Sequence, residues 1–530
     1  METLRIRFDQ PTIASGTAPS ISKASVLGRD MGIGSVRNVA LAFWRSSTAD
    51  GRASLIDEDL CFSTFAVRTA AWNVRRYLLS HTNYRPGDLV VLRMKNSAEY
   101  LAAFYGVLMA DGVVVPIAPQ IEEDRWRRIC QSCRPPVVIT RSRDTETMGP
   151  SLRFVDLDLM ADPLPPDADV DTQRSDHDLA MILFTSGSTG VPKGVMLSHR
   201  NLLANSQSIL EYLPIVRDDR ALAVLPWCHA FGNSILLTHS LVGATMVLAG
   251  SVTFPVTIVQ ALKAHRATSL SAVPELFSML LRFDSLNDVR LPDLRYMSVA
   301  GGALAPELAC QLAERIAPAR FYVMYGQTEA TARLAYLPPE QLHHRPGSIG
   351  RAIPGVQLRV VDNANREMPP GQAGRLMARG ENVMLGYWKD GIPSAARSQD
   401  GWLDTGDLAT VDADGYFYLC GRRSLLIKIQ GHRVHPLEIE EFVRGHFPGV
   451  QAAVIPYESI GSTRLALFIV TGQRQSVDDG EIRRVCRHWL PPYKIPTQIH
   501  FLDHWPLNDA GKIDRVALSR WLDSQQRRVS

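Results

Sequence analysis

The chain of 530 residues predicts a layered α/β protein whose large N-terminal part contains several subdomains, followed by a small, separate α+β unit. Three observations carry this. From about Leu60 to Gly415, helical patterns alternate with short Val/Ile/Leu strands, as in largely parallel sheets covered by helices. Between about Ile349 and Asp414 the texture changes to short segments broken by Gly355, Gly371, Gly374, Gly380, Gly386 and Gly401, which reads as an antiparallel β-rich subdomain. After Gly421 the pattern starts afresh, and a chain this long exceeds one hydrophobic core.

Taken in order, Leu89 to Leu92 is a strand, Ala98 to Ala110 a helix and Val113 to Ile117 a strand. Leu179 to Phe184 and Val195 to Leu197 are buried strands, and Ser198 caps a helix whose Leu202, Leu203, Ile209, Leu210 and Leu213 share one face. Phe231 to Gly250 is the most apolar stretch. Asn233, Thr238, His239 and Ser240 interrupt it, so it falls short of a membrane span and reads as a buried helix followed by a strand. Leu270 to Val273, Tyr296 to Val299 and Arg320 to Val323 add short strands. In the last part, Pro436 opens a helix through Arg444 that Gly445 stops, strands follow at Ala452 to Ile455 and Ala466 to Val470, and a helix covers Glu481 to Leu490.

Composition narrows the function classes. A net charge of +3 is close to neutral for this size, with no nucleic-acid footprint and no basic membrane patch. The 7 cysteines are few, odd in number and scattered, which fits a reducing compartment, and Cys130-x-x-Cys133 lacks the second pair a zinc site needs. Met1 to Ser20 lacks the basic-then-apolar order of a signal peptide, so a cytoplasmic protein is expected.

The most informative segment is Phe184-Thr185-Ser186-Gly187-Ser188-Thr189-Gly190-Val191-Pro192-Lys193-Gly194. Its glycines free the backbone, its hydroxyls donate, and Lys193 adds a mobile positive charge, a combination suited to a polyphosphate. Pro192 before Lys193 and Gly194 after it break the P-loop rule, so an ordinary P-loop ATPase is not the reading. Five further polar segments lie beside apolar strands: Leu225-Pro226-Trp227-Cys228-His229-Ala230-Phe231-Gly232, Ala300-Gly301-Gly302-Ala303-Leu304, Tyr325-Gly326-Gln327-Thr328-Glu329, Trp402-Leu403-Asp404-Thr405-Gly406-Asp407, and Asn508-Asp509-Ala510-Gly511-Lys512-Ile513-Asp514-Arg515.

In this order the six segments resemble the adenylate-forming (AMP-binding) superfamily of acyl- and aryl-CoA synthetases, luciferases and nonribosomal peptide adenylation domains. The resemblance implies residues 1–420 as the adenylate-binding domain, 421–424 as a hinge and 425–530 as the small domain. It implies two reactions: a carboxylate attacks the α-phosphate of ATP to give acyl-AMP and pyrophosphate, and a thiol of CoA or a carrier protein's phosphopantetheine then displaces AMP. Thr185, Ser186, Gly187, Ser188, Thr189, Gly190 and Lys193 would hold the departing phosphates. Gly301, Gly302, Ala303, Tyr325 and Gly326 would hold the adenine, while Asp407 would accept both ribose hydroxyls and Arg422 would also touch the ribose. Thr328 would touch the α-phosphate, and Glu329 would hold Mg²⁺ through a hard oxygen ligand. Lys512 would bridge the carboxylate and α-phosphate oxygens. Ser424 stands at the hinge where Asp or Lys is common, and Gly431 would line the thiol channel.

The acid would be met by Trp227, Phe231, Ser234, Met324, Ala332 and Arg333, with His229 gating acyl pocket from thiol channel. Ala230 stands where amino-acid-activating relatives place Asp, so the resemblance disfavours an α-amino acid and favours an aliphatic or aromatic acid. Arg333 is unusual in such surroundings: it either meets a second polar or anionic group on the substrate or points to solvent. Two other classes are carried forward, a luciferase-like oxygenase and a nucleotide-binding regulator without catalysis; Lys193, Glu329, Asp407 and Lys512 argue against the latter.

Overall fold

The computed structural model describes residues 38–46, 52–57, 60–80, 83–140, 154–155, 163–165, 168–185, 193–248, 255–287, 289–389, 392–394, 400–422, 427–429, 432–434, 436–447, 449–459, 462–471, 477–508 and 512–529. Two sheets organise most of it. In an 8-stranded sheet, Leu179–Thr185, Val113–Ile117, Leu89–Arg93, Val137–Ile139 and Phe154–Val155 run parallel, and the antiparallel Lys193–Ser198 and Gly386–Lys389 extend one side. In a 13-stranded sheet, Arg320–Tyr325, Tyr296–Val299, Ser269–Ala272, Arg220–Leu222, Thr245–Leu248 and Ala53–Asp57 form a parallel centre.

Local chemistry explains the elements. Val113–Ile117 is buried throughout, the continuous apolar run of a strand covered on both faces. Helix Ala98–Met109 is apolar all round and correspondingly buried, with the Ser97 side chain accepting the Tyr100 N–H at its start. Ser198 and Asn201 form a reciprocal capping box on helix His199–Tyr212. Helix Ala230–Val242 ends on Gly243 and the chain returns as strand Thr245–Leu248, as the apolar stretch predicts.

The glycine-broken region is antiparallel as expected, but it is no separate layer. Its strands Val356–Val361, Gly374–Gly380, Leu403–Val411 and Phe417–Arg422 join the parallel centre through Ser348–Ala352 and Ala335–Leu337, making one continuous ladder. Arg422 still pairs with Asp407 in that ladder, so the large sheet reaches two residues into the expected hinge.

The C-terminal unit folds around strands Gln451–Ser459, Ser462–Val470 and Gln498–Phe501, with separate apolar clusters on the two faces. Helix Pro436–His446 runs through Gly445 rather than stopping there. Val443 and Phe447 are buried in the same cluster and the Phe447 N–H reaches the Val443 carbonyl at 2.9 Å, so core packing outweighs the glycine stop signal. The helix packs on strand Phe417–Arg422, which seats the small unit against the large one.

Candidate active site

Two strand ends and one turn bring the nucleotide-side residues together. Tyr325 ends strand Arg320–Tyr325, and its hydroxyl donates to Asp407 Oδ2 at 2.5 Å; Arg422 Nε donates to Asp407 Oδ1 at 2.8 Å. Asp407 is buried in the ladder strand Leu403–Val411, with both carboxylate oxygens engaged by neighbours and each still holding lone pairs. Burial and the adjacent carboxylate push the Tyr325 phenol well up, so it stays protonated as the donor. Asp404 takes the turn-forming duty, accepting the Gly406 N–H at 2.9 Å and pairing with Arg375.

Two glycines keep this face open. A Cβ on Gly326 would fall 1.8 Å from the Ala332 carbonyl oxygen, so only glycine lets the chain after Ala332 lie against the Tyr325 segment. Gly301 has φ +93°, and a Cβ there would stand 3.5 Å from Lys512 Cε. The lysine therefore reaches across from the small unit to the Gly301–Gly302 wall.

The Lys512 turn is held from both sides. Its N–H donates to Asn508 Oδ1 at 3.1 Å and its carbonyl accepts the Asn508 N–H at 2.8 Å. Arg515, three residues on, pairs at 2.8 Å with Glu440, a buried carboxylate that also accepts the Val454 N–H. Lys512 as a whole residue remains exposed to solvent. Crowding across the cleft and the Arg422 guanidinium nevertheless lower its pKa, while Glu275, Asp407 and Glu329 favour the charged form.

Glu329 lies in the short 3₁₀ turn Thr328–Ala330 and accepts the Tyr387 hydroxyl at 3.0 Å. Lys193, at the start of its strand, places Nζ 5.6 Å from the Tyr387 ring centroid. Tyr387 thus ties the far end of the glycine loop to Glu329. No sequence motif marked it, because its role arises from an antiparallel pairing of Gly386–Lys389 with Lys193–Ser198. Glu275 also went unmarked: it lies in the first turn of helix Pro274–Arg282 beside the glycine wall, and its Oε2 is buried without a partner among the described residues. Gln327 Nε2 is likewise a buried donor without a partner among the described residues, the kind of group a bound nucleotide would satisfy. Thr185 donates to the Lys193 carbonyl at 3.4 Å. Ser186, Gly187, Ser188, Thr189 and Gly190, with Ser424 and Gly431, lie outside the described residues.

On the acyl side, Phe231, Met324 and Arg333 converge. The Arg333 guanidinium lies 4.1 Å from the Phe231 ring centroid, and its Nε donates to Met324 Sδ at 3.3 Å. Ala332 is buried beside them. Ser234 is buried and turned back on its own helix, donating to the Phe231 carbonyl at 2.7 Å. His229 is the N-cap residue of helix Ala230–Val242, half-buried at the mouth of the segment. Trp227 is fully enclosed and packs on Tyr100 at 5.5 Å between ring centroids, which sets it behind the wall.

The AMP-binding enzyme family model matches residues 46–388, and the model of its C-terminal domain matches residues 438–512. The chain belongs to the AMP-binding enzyme family. It is 30% identical over 492 residues to a long-chain-fatty-acid–CoA ligase of Salmonella typhimurium, covering 83% of this chain and 87% of that protein. It is also 30% identical over 438 residues to a feruloyl-CoA synthase of an Amycolatopsis species, covering 81% and 88%. Among solved structures it resembles the o-succinylbenzoate CoA synthetase of Bacillus subtilis in complex with its acyl-adenylate intermediate, with a TM-score of 0.79, 25% identity, and 91% and 97% of the two chains covered. This AMP-binding family member is an ATP-dependent acid–thiol ligase that forms an acyl-adenylate. Among the described residues, no helix is long and apolar enough to cross a membrane.

Proposed function

We propose that this AMP-binding family member joins a carboxylic acid other than an α-amino acid to CoA, using one composite site between its large and small units. The observation that carries the reading is the approach of Lys512 to the Gly301 wall, opposite the Tyr325–Asp407–Arg422 cluster. A point charge there lies where negative charge grows on oxygens as acyl-AMP forms, and it does most in the transition state.

The remaining roles are those that membership of the AMP-binding family supports. Asp407 offers its spare lone pairs to the ribose hydroxyls, Arg422 steadies that carboxylate, and Gly301, Gly302, Ala303, Tyr325 and Gly326 line the adenine slot. Thr328 faces the α-phosphate, and Thr185 to Gly190 with Lys193 grip the departing phosphates. Glu329, steadied by Tyr387, would hold Mg²⁺, which supplies a hard positive charge shared among phosphate oxygens. Phe231, Ser234, Met324, Ala332 and Arg333 line the acyl pocket, with Trp227 behind them and His229 at the gate.

The domains divide as 1–420, 421–424 and 425–530, and rotation about Ser424 exchanges the Lys512 face for the Gly431 face between the two half-reactions. CoA is the acceptor, as in the ligase relatives, and carrier-bound phosphopantetheine is the other form of the same thiol. None of the seven cysteines is in a disulfide, which supports a cytoplasmic setting.

The experiment is pyrophosphate release from ATP across a panel of acids, followed by mass measurement of products formed with CoA and with a phosphopantetheinylated carrier protein. Acid-dependent release with an acyl-CoA product is expected. Release in the absence of added acid, or none with any acid, would overturn the reading, and an acyl-carrier product alone would replace CoA as the acceptor.

A further inference from the structure

Arg333 is 2% exposed, and among the described residues no carboxylate pairs with it. Its neighbours are the Met324 thioether, the Phe231 ring face and the Tyr212 hydroxyl. A thioether and a phenol are weak acceptors, a ring face offers only its quadrupole, and none cancels a full charge. Burial accordingly pushes the guanidinium pKa down, yet arginine stays charged in proteins. Buried charges are ordinarily paired, because desolvation of an unpaired ion costs several kcal/mol.

The backbone holds this cation in place. Thr331 has φ +66°, a strained value for a β-branched residue, and the Ala332 N–H reaches the Ala330 carbonyl at 2.7 Å to close a tight three-residue turn. The Thr331 hydroxyl donates to the Asn382 carbonyl at 2.7 Å. The Arg333 carbonyl accepts from Asn205 Nδ2 at 3.0 Å and from Asn382 Nδ2 at 2.9 Å. Strain retained beside a site marks a position fixed for function. The fork is thus preset, immediately after the Tyr325–Glu329 segment, on the wall where the acid lies.

We propose that the acid this enzyme activates carries a second carboxylate, and that Arg333 binds it in the acyl pocket. This rests on the acid-activating reading above. A guanidinium matches a carboxylate through two parallel N–H donors, and Phe231 and Met324 exclude water from the pair. One carboxylate reacts at the Lys512 end while the other is held at the Arg333 end. The same cation repels an ammonium group, so α-amino acids are rejected by charge.

The test uses the full chain with ATP and Mg²⁺, measuring pyrophosphate release and hydroxylamine-trapped acyl product for length-matched pairs of mono- and dicarboxylic acids, straight-chain and aromatic. At the best length the dicarboxylic member should have the higher kcat/KM by about 30-fold or more, the loss typical of leaving one partner of a buried charge pair alone. Arg333→Leu should bring that ratio near or below one, chiefly through KM, and Arg333→Lys should keep part of it. Because Arg333 is a buried cation with no carboxylate partner among the described residues, Arg333→Leu should melt at or above the wild-type temperature. A clear fall in melting temperature for both Arg333→Leu and Arg333→Met would make Arg333 a structural support and overturn the proposal. Monocarboxylic acids preferred in every pair, or a ratio unchanged by Arg333→Leu, would also overturn it while leaving acid activation intact. No release from any acid would overturn both.

Discussion

The two halves of the site are built on opposite electrostatic plans. On the nucleotide side, Asp407 is met by Tyr325 and Arg422, Glu329 by Tyr387, and Glu275 and Lys512 face the same cleft, so charge of both signs is densely cross-linked. On the acyl side Arg333 sits among a thioether, an aromatic face and phenols, with no carboxylate paired to it among the described residues. That network is largely made before a ligand arrives, with Glu275 Oε2 and Gln327 Nε2 left buried without a partner among the described residues, and on the reading proposed above it serves a ligand that never changes, ATP. A lone buried charge is incomplete until its partner binds, which makes it a selector.

The comparison breaks most sharply at Lys512. If the nucleotide side acts in the transition state, Lys512→Ala should lower the adenylation rate by about 10²–10³-fold, the scale of removing one charge-stabilising donor. ATP affinity measured by calorimetry should change little, because uniform binding is not what the lysine supplies. A parallel loss of ATP affinity would move Lys512 from the reaction to the binding of its substrate. Asp407→Asn comes next. It keeps the shape, removes the charge that Arg422 pairs with, and puts a donor where Tyr325 now donates, so KM for ATP should rise by about 10–100-fold with kcat less affected. An unchanged KM for ATP would remove Asp407 from ribose binding.

Much of this network was legible in the sequence because the residues sit in short contiguous motifs whose chemistry survives without the fold. Strand and helix existence was equally plain for Val113 to Ile117 or Ala98 to Ala110, where apolar runs have only one use. What escaped were residues whose meaning depends on pairing across the chain. Tyr387 reaches Glu329 only because its strand lies antiparallel to Lys193–Ser198, and Glu275 matters only because helix Pro274–Arg282 starts beside Gly302. The β-rich segment read correctly as antiparallel, but its fusion with the parallel sheet depends on two short strands, Ala335–Leu337 and Ser348–Ala352, that periodicity does not reveal. Arg333 stood out in sequence as an arginine among apolar residues, and its solitude needed the packed structure.

Tyr387→Phe tests the cross-linking itself at smaller scale. Loss of this hydroxyl donor to Glu329 should lower kcat by roughly tenfold, matching about 1.5 kcal/mol for a hydrogen bond to a charged group. The Mg²⁺ concentration for half-maximal rate should rise with it. A fall in kcat with no shift in that Mg²⁺ dependence would separate Tyr387 from the metal-holding role of Glu329.

The smallest effect concerns pH and follows from the company Lys512 keeps. Crowding and the Arg422 charge lower its pKa, and the protonated form is the one that opposes negative charge, so activity should fall as pH rises through a value below the ordinary lysine pKa of about 10.4. Arg422→Gln removes a like charge and should move that alkaline limb to higher pH, whatever it does to the rate. Stability carries the opposite sign. Between the lowered folded pKa and the ordinary unfolded one, the unfolded chain binds more protons, so stability contributed by this group rises with pH across that window. The contribution is small because Lys512 keeps contact with solvent. An alkaline limb at or above the ordinary lysine value would mean that the cleft does not crowd Lys512 in solution. The nucleotide side would then be assembled by ATP, as the acyl side is by its acid, and the contrast between the two halves would disappear.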